Sequence, residues 1–273
     1  MTTHQPEDGE RGPEGGPEDK PGPGPEGGAA AAPADALADL PAARIGDAHP
    51  LSLTLVTLTV VSGFIDAISY LGLGRVFAAN MTGNVLVIGF AAGGAPGFSV
   101  VGSLVSLGAF LAGAVVAGRL ARVFRGRRRV PWVRTALYGE ALLQGVATAV
   151  AFAFPGGDLT YLLIALLALA MGLRNGTVRT LGVPDITTTV LTQTLTGLAS
   201  QSRLAGGADP RAVRRLTAVA AMVAGALPGA WLVVHHGIAW PLLVSTAIVA
   251  AAAVAYREKP EPPPRKTNFQ TEH

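Results

Sequence analysis

Long apolar stretches constrain this chain more than any other feature of its sequence. Six stretches are nearly free of charged side chains, and each is long enough for the membrane-crossing helix of about 20 residues that a bilayer requires. They cover residues 51–73, 100–121, 131–154, 159–180, 215–235 and 238–256. Charged residues make up only 14% of the chain, whereas soluble domains carry about 25%. The sequence therefore predicts an all-α integral membrane protein with six transmembrane helices.

The two ends of the chain differ from this apolar middle. Residues 1–50 are rich in Pro, Gly and Glu and hold ten acidic against three basic side chains. With almost no aromatic or β-branched residues to bury, such a segment cannot offset the entropy cost of ordering. We expect a disordered acidic tail over 1–50, a helical membrane domain over 51–256, and a disordered basic tail over 257–273.

Arginine sets the expected orientation. The connection after the second span carries Arg119, Arg122, Arg125, Arg127, Arg128, Arg129 and Arg134, and a later one carries Arg203, Arg211, Arg214 and Arg215. A third basic set, Arg257 and Lys259, follows the last span. Short loops rich in Arg and Lys stay in the cytoplasm. Only three of the 21 basic residues are lysine, a bias typical of a GC-rich bacterial genome. Together with the arginine pattern it predicts a bacterial inner-membrane protein with both termini cytoplasmic. The same topology explains the Arg125–Arg129 cluster better than nucleic-acid binding does.

Two apolar segments are too short to cross. Residues 82–93 and 187–200 have the length typical of re-entrant or interfacial segments, and full crossings there would move the later arginines to the outside. The segments also occupy matching positions in the sequence. The number of residues from Asp66 to Asn175 is almost the same as the number from Thr82 to Thr192. We therefore expect two half-helices in an inverted repeat, an arrangement that points to a transporter-type site.

Several motifs resemble the YoaK family of bacterial membrane proteins. They are Gly63-Phe-Ile-Asp-Ala67, Phe77-Ala-Ala-Asn-Met-Thr-Gly-Asn84, Arg174-Asn175 and Gly182-Val-Pro-Asp-Ile-Thr-Thr-Thr189. The resemblance covers roughly residues 50–256 and implies a multi-spanning architecture. Because the family is one of unknown function, it implies no reaction. Arg174 stands where the family usually carries glutamine, and Gln193 where a small residue is common.

Ionisable residues inside spans are costly and are functional candidates by default. Glu140 and Arg174 lie at compatible depths, so we expect an intramembrane ion pair, which either serves function or only fixes two helices. Asp66 has no evident basic partner. It accepts hydrogen bonds from Asn80, Thr82 or Asn84, or it is a protonatable coupling site.

The starts of the two half-helices are the second candidate site. A helix N-terminus exposes unpaired N–H groups that favour an anion or a carbonyl oxygen. The candidate binding residues are Asp66, Asn80, Thr82, Asn84, Asn175, Thr188, Thr189 and Thr192, which we expect to face one shared polar cavity. The alternative is that these polar groups only satisfy broken backbone at membrane depth.

The leading functional interpretation is a small-solute secondary transporter or channel, working in the bilayer as a possible homo-oligomer. A non-transporting membrane scaffold or partner subunit is the alternative. With no cysteine and no catalytic, nucleotide-binding or metal-binding motif, we expect no enzymatic activity, no metal and no cofactor.

Overall fold

A computed structural model describes residues 50–125, 129–156, 159–181, 191–202, 205–207 and 212–257. They form α1 (Pro50–Gly72), α2 (Met81–Ala92), α3 (Val100–Val123), α4 (Arg129–Ala153), α5 (Thr160–Leu181), α6 (Leu191–Ser200), α7 (Ala212–His236) and α8 (Ala239–Ala255). The expectation of a helical membrane domain is confirmed. The predicted tails lie outside the described residues, apart from Pro50 and Arg257.

Five of these helices, α1, α3, α4, α5 and α7, are long and apolar enough to cross a membrane. The helix α8 is apolar but has 17 residues, and α2 is an apolar helix of 12. The count of six crossings therefore stays a prediction, and it depends on α8. The two short segments expected at 82–93 and 187–200 correspond to α2 and α6, and residues 187–190 of the second segment lie outside the described residues.

Helices α1 and α5 form the centre of the bundle. In their most apolar stretches 67% and 61% of residues are buried, against 22% in α7. The buried side chains of these two helices include Leu55, Ile65, Ile68, Ile164, Leu167 and Met171. By contrast, α3 and α7 expose large apolar side chains such as Leu111, Val115 and Leu227, as expected of helices that face lipid.

Glycines allow two pairs of helices to approach closely. If Gly63 of α1 carried a Cβ atom, that atom would lie only 2.7 Å from the amide nitrogen of Ala226 in α7. In the same way, a Cβ at Gly113 of α3 would lie 2.8 Å from the amide nitrogen of Leu173 on α5. Small residues let helix backbones meet in this way, so α1 packs on α7 and α3 packs on α5.

The contacts also give the relative directions of the helices. Along α1, Gly63 meets Met222 of α7 and Ala67 meets Gly229, so these two helices run parallel. Helices α3 and α5 are likewise parallel, because Phe110 meets Gly172 and Ala117 meets Gly176. Helices α4 and α8 run antiparallel, since the Phe152 ring contacts Trp240 while Thr148 contacts Thr246.

The residues that line one cavity give the remaining helix directions. It is bounded by the first part of α1, the first part of α4 and the last part of α5. Helix α5 is therefore antiparallel to both α1 and α4. It follows that α1, α4 and α7 begin at one end of the bundle, at which α3, α5 and α8 finish.

We call this end the arginine end. Of the eleven arginines in the described ranges, nine lie within or beside the helix turns at this end: Arg119, Arg122, Arg125, Arg129, Arg134, Arg179, Arg214, Arg215 and Arg257. The other two are Arg75, which follows α1 at the opposite end, and Arg174, inside the bundle. Because α1 finishes and α3 begins at the opposite end, the segment that contains α2 both starts and finishes at that end. By the same reasoning α6 lies at the arginine end.

Candidate functional site

Glu140 of α4 and Arg174 of α5 form a buried ion pair. Arg174 Nη2 contacts Glu140 Oε1, and Arg174 Nε donates a 3.0 Å hydrogen bond to Glu140 Oε2. The two residues, Glu140 and Arg174, are 1% and 5% exposed. A two-pronged contact between a guanidinium and a carboxylate is strong and fixes the geometry of both groups. The structure thus brings together the two residues that the sequence paired.

Helix α1 supplies the remaining partners of Arg174. Arg174 Nη1 donates 2.7 Å and 2.8 Å hydrogen bonds to the carbonyl oxygen of Leu58 and to Ser62 Oγ. Ser62 Oγ in turn donates to the Leu58 carbonyl oxygen. Three helices therefore meet at one guanidinium, which satisfies four of its five N–H groups.

A row of polar side chains continues from Glu140 along α4. Gln144 Nε2 donates to Glu140 Oε1 at 2.8 Å, and Gln144 Oε1 accepts from Ser245 Oγ of α8 at 2.8 Å. One turn further, the hydroxyl groups of Thr148 and Thr246 lie 3.0 Å apart. These α4 residues are buried, and their spacing of four places them on one face. A polar path thus continues for about 12 Å along α4 beyond Glu140.

The cavity between α1, α4 and α5 has Glu140 and Arg174 among its lining. It encloses about 330 Å³ of empty space, including its opening to solvent. The other lining residues are Leu51, Thr54, Leu55, Leu58, Val133, Ala136, Leu137, Thr177, Val178 and Leu181. These positions place it between the arginine end of the bundle and the ion pair. The result is a mostly apolar pocket with one charged pair.

Asp66 holds the segment that precedes α2. Its carboxylate Oδ1 accepts a 2.9 Å hydrogen bond from the amide of Ala79, while Ser69 Oγ accepts one from the amide of Ala78. The side-chain partners that we expected, Asn80, Thr82 and Asn84, are replaced by backbone amides. Backbone N–H groups at membrane depth need such acceptors, and a carboxylate is a strong one.

Asn84 also binds backbone and does not line an open site. It accepts from the amide of Phe77 at 2.9 Å and donates to the Phe77 carbonyl oxygen and to Ser106 Oγ of α3. Asn84 is fully buried, whereas Asn80 and Thr82 are exposed. The Asn80 side chain makes no capping hydrogen bond to α2. These contacts match the structural alternative for Asn84 and not for Asn80 or Thr82.

Within the described ranges, α2 and α6 pack on different helices. Helix α2 packs on α3, and α6 packs on α7 at the arginine end of the bundle. On α6, Thr192 is exposed and Thr194 is buried, while Asn175 is half-buried beside Arg174 on α5. Thr188 and Thr189 lie outside the described residues. The expected shared cavity depends on these two threonines as well, so it stays a prediction.

Sequence reasoning missed the partners of the ion pair. Glu140, Gln144 and Thr148 stand four residues apart in an otherwise apolar helix, a periodicity that marks one polar face. That signal was readable and would have predicted the polar row. Ser62 and the Leu58 carbonyl oxygen left no such signal, because only the packing of α1 against α5 makes them partners of Arg174.

Comparisons with known proteins give the family. The family model described as protein of unknown function DUF1275 matches residues 54–255. The UPF0700 transmembrane protein YoaK of Bacillus subtilis (strain 168) is 35% identical over 146 residues, which cover 54% of this chain and 64% of that protein. The chain thus matches slightly less than two thirds of this relative's length. No solved structure gives a significant match. The chain belongs to the DUF1275 family of membrane proteins, as its resemblance to YoaK proteins predicted.

Proposed function

We propose that this protein is a small-solute secondary transporter or channel of the inner membrane. The observation that carries the proposal is the Glu140–Arg174 pair, buried inside the bundle and reached by a cavity. Ionisable groups are rarely kept at membrane depth without a functional reason. The pair also borders a cavity, whose empty volume of about 330 Å³ includes its opening to solvent.

The proposal includes an inverted repeat of α1–α4 and α5–α8 with six membrane crossings. Three relations support it: α1 packs on α7 as α5 packs on α3, the equivalent helices α4 and α8 are antiparallel, and α1 and α5 are antiparallel. A two-fold axis in the membrane plane generates this pattern. At about 1.5 Å per residue, α8 is about 25 Å long, close to the thickness of a bilayer core. Such repeats are common in transporters.

The arginine end would face the cytoplasm under this proposal. Nine described arginines lie there, and short basic loops stay inside. Both termini would then be cytoplasmic, and the cavity would open inward. Asp66 would be the group that couples transport to a proton. It is 8% exposed, and its carboxylate accepts the hydrogen bond from the Ala79 amide that ties the segment before α2 to α1. Gain or loss of a proton would change that hydrogen bond.

The test is transport by the wild type and by Asp66→Asn. Asparagine keeps an oxygen that accepts from the Ala79 amide, so the variant should insert normally while losing the ionisable group. Cells that express each form at equal membrane levels would be compared by mass spectrometry of small solutes in cells and medium. Solutes that differ would then be measured in proteoliposomes.

We expect at least one solute to be moved by the wild type and not by Asp66→Asn. Leu53→Ile is the matched control, because Leu53 is an exposed residue of the same helix and should transport normally. If no solute distinguishes wild-type cells from cells without the protein, the scaffold or partner-subunit function replaces the transporter.

A further inference from the structure

We propose that the cavity between α1, α4 and α5 binds a small uncharged amphiphile. Its ligand would have an aliphatic body and one head group that both donates and accepts a hydrogen bond, such as an alcohol, an amide or a protonated carboxylic acid. This proposal rests on the proposed function and names the substrate class of the same site.

The walls select for an aliphatic body. Leu51 and Leu55 of α1, Val133 and Leu137 of α4, and Val178 of α5 line the cavity. Contact of an aliphatic chain with such walls releases water from both surfaces, which favours binding by about 25 cal/mol for each Å² of apolar surface buried. Thr54 and Thr177 are the only uncharged polar side chains among the lining residues of this cavity.

The charge balance of the site selects against ions. Glu140 and Arg174 neutralise one another, and within the described ranges no other ionisable side chain lines this cavity. An anion or a cation that entered would therefore bring an uncompensated charge into a low-dielectric region, where desolvation costs several kcal/mol. An uncharged ligand avoids this cost.

The unused hydrogen-bonding capacity of the pair defines the head group. Among the described contacts, Arg174 uses four of its five N–H groups, so one N–H of Nη2 remains. Glu140 Oε2 accepts one hydrogen bond, from Arg174 Nε, and keeps a lone pair. One donor, at Nη2, and one acceptor, at Oε2, thus remain on the pair, and a hydroxyl, amide or carboxylic acid group can bind to either of them.

Thiol labelling tests this assignment directly, because the chain has no native cysteine. Thr54→Cys would place a thiol on the cavity wall of the full-length protein in phosphatidylcholine nanodiscs. Three methanethiosulfonates would be compared: the neutral hydroxyethyl, the anionic sulfonatoethyl and the cationic trimethylammonioethyl reagents. Each rate would be divided by the rate with a free small thiol.

The neutral reagent should modify Thr54→Cys at least about tenfold faster than either charged reagent, because the charged ones pay the desolvation cost. Leu53→Cys is the matched control, since Leu53 is the adjacent residue, is 61% exposed and does not line the cavity. It should react more slowly than Thr54→Cys with the neutral reagent. Equal rates at both positions, or a charged reagent as the fastest at Thr54→Cys, would overturn the proposal.

Changing the charge pair sharpens the test. In the Thr54→Cys background, Glu140→Gln leaves Arg174 uncompensated, so the anionic reagent should become faster than the cationic one. The double change Glu140→Gln/Arg174→Gln restores neutrality and should restore the preference for the neutral reagent, even where the single variant does not fold. A folded Glu140→Gln protein with unchanged preference, or a double variant that prefers a charged reagent, would contradict the assignment.

The labelling result is independent of transport. Solute flux combined with a preference for a charged reagent would leave the transporter and remove the ligand class. Neutral selectivity without any flux would keep the binding site and remove the proposed function.

Discussion

The two halves of the membrane domain have similar frameworks and different chemistry. The first half comprises α1–α4 and the second α5–α8. The number of residues between the start of a helix in the first half and the start of the matching helix in the second is nearly the same for all four pairs. The paired starts are Pro50 and Thr160, Met81 and Leu191, Val100 and Ala212, and Arg129 and Ala239. Even the close glycines correspond, since Gly63 and Gly172 keep almost the same spacing and each meets a helix of the other half.

The polar side chains break this correspondence. At the repeat spacing, Glu140 on α4 corresponds to Ala250 on α8, and Arg174 on α5 corresponds to Ile65 on α1. The charged pair thus occupies the α4–α5 interface, and its counterpart between α8 and α1 is apolar at these positions. The helix framework of the two halves is thus nearly symmetric, whereas the buried charged pair is present in only one of the two interfaces.

Separating Glu140 from Arg174 should give the largest effect. Removing one partner of a buried pair costs about 3–5 kcal/mol, because the other charge is left unpaired at depth. Glu140→Gln or Arg174→Gln alone should therefore strongly lower folded yield and the thermal midpoint in fluorescence-detected size exclusion. The double variant should recover part of the loss, whereas additive losses would mean that the pair does not couple the two helices.

The counterpart positions provide the control for this comparison. Ile65 is fully buried, and Ile65→Val should cost only about 1 kcal/mol, the usual cost of deleting one buried methyl group. If Ile65→Val destabilised as much as Arg174→Gln, the two interfaces would be equally sensitive, and the asymmetry between the halves would have no energetic basis.

The glycine crossings should give an intermediate and symmetric effect. Gly113→Ala and Gly225→Ala each place a methyl group against the backbone of the neighbouring helix, and such overpacking costs about 1–3 kcal/mol. Gly118→Ala is the control, because nothing lies within 4 Å of a Cβ at Gly118. Similar losses of thermal stability at Gly113 and Gly225 would support the repeat, and a large loss at only one of them would break it.

A smaller, asymmetric effect is expected at the half-helices. Asn84 and its counterpart at the repeat spacing, Thr194, are both buried, at 0% and 2% exposure. Asn84→Ala leaves the Phe77 backbone groups without their amide partner, which costs about 1–3 kcal/mol. Thr194→Val keeps the shape of its side chain and should cost less. Thermal stability in detergent would compare the two variants, and the reverse order would assign the structural role to α6.

The sequence predicted the helices and the ion pair well, and the cavity poorly. Apolar length and the scarcity of intramembrane charge were sufficient to locate α1, α3, α4, α5 and α7 and to pair Glu140 with Arg174. The position of the cavity depends on which helices are neighbours, and that information is not local. The polar residues before and within α2 were predicted to face a solute. Instead, Asp66 and Asn84 bind backbone amides, because an interrupted helix must satisfy its own N–H groups first.

The inverted repeat requires that α2 and α6 each return to the end of the bundle from which they enter. Single cysteines at Pro96, Pro155 and Ser202, all in the connections between helices, would be labelled with a membrane-impermeant maleimide in right-side-out and inverted vesicles. We expect Pro96→Cys and Pro155→Cys to react from the outer side and Ser202→Cys to react from the cytoplasmic side. If α2 and α6 were full crossings, all three positions would lie on one side, and that result would contradict the inverted repeat.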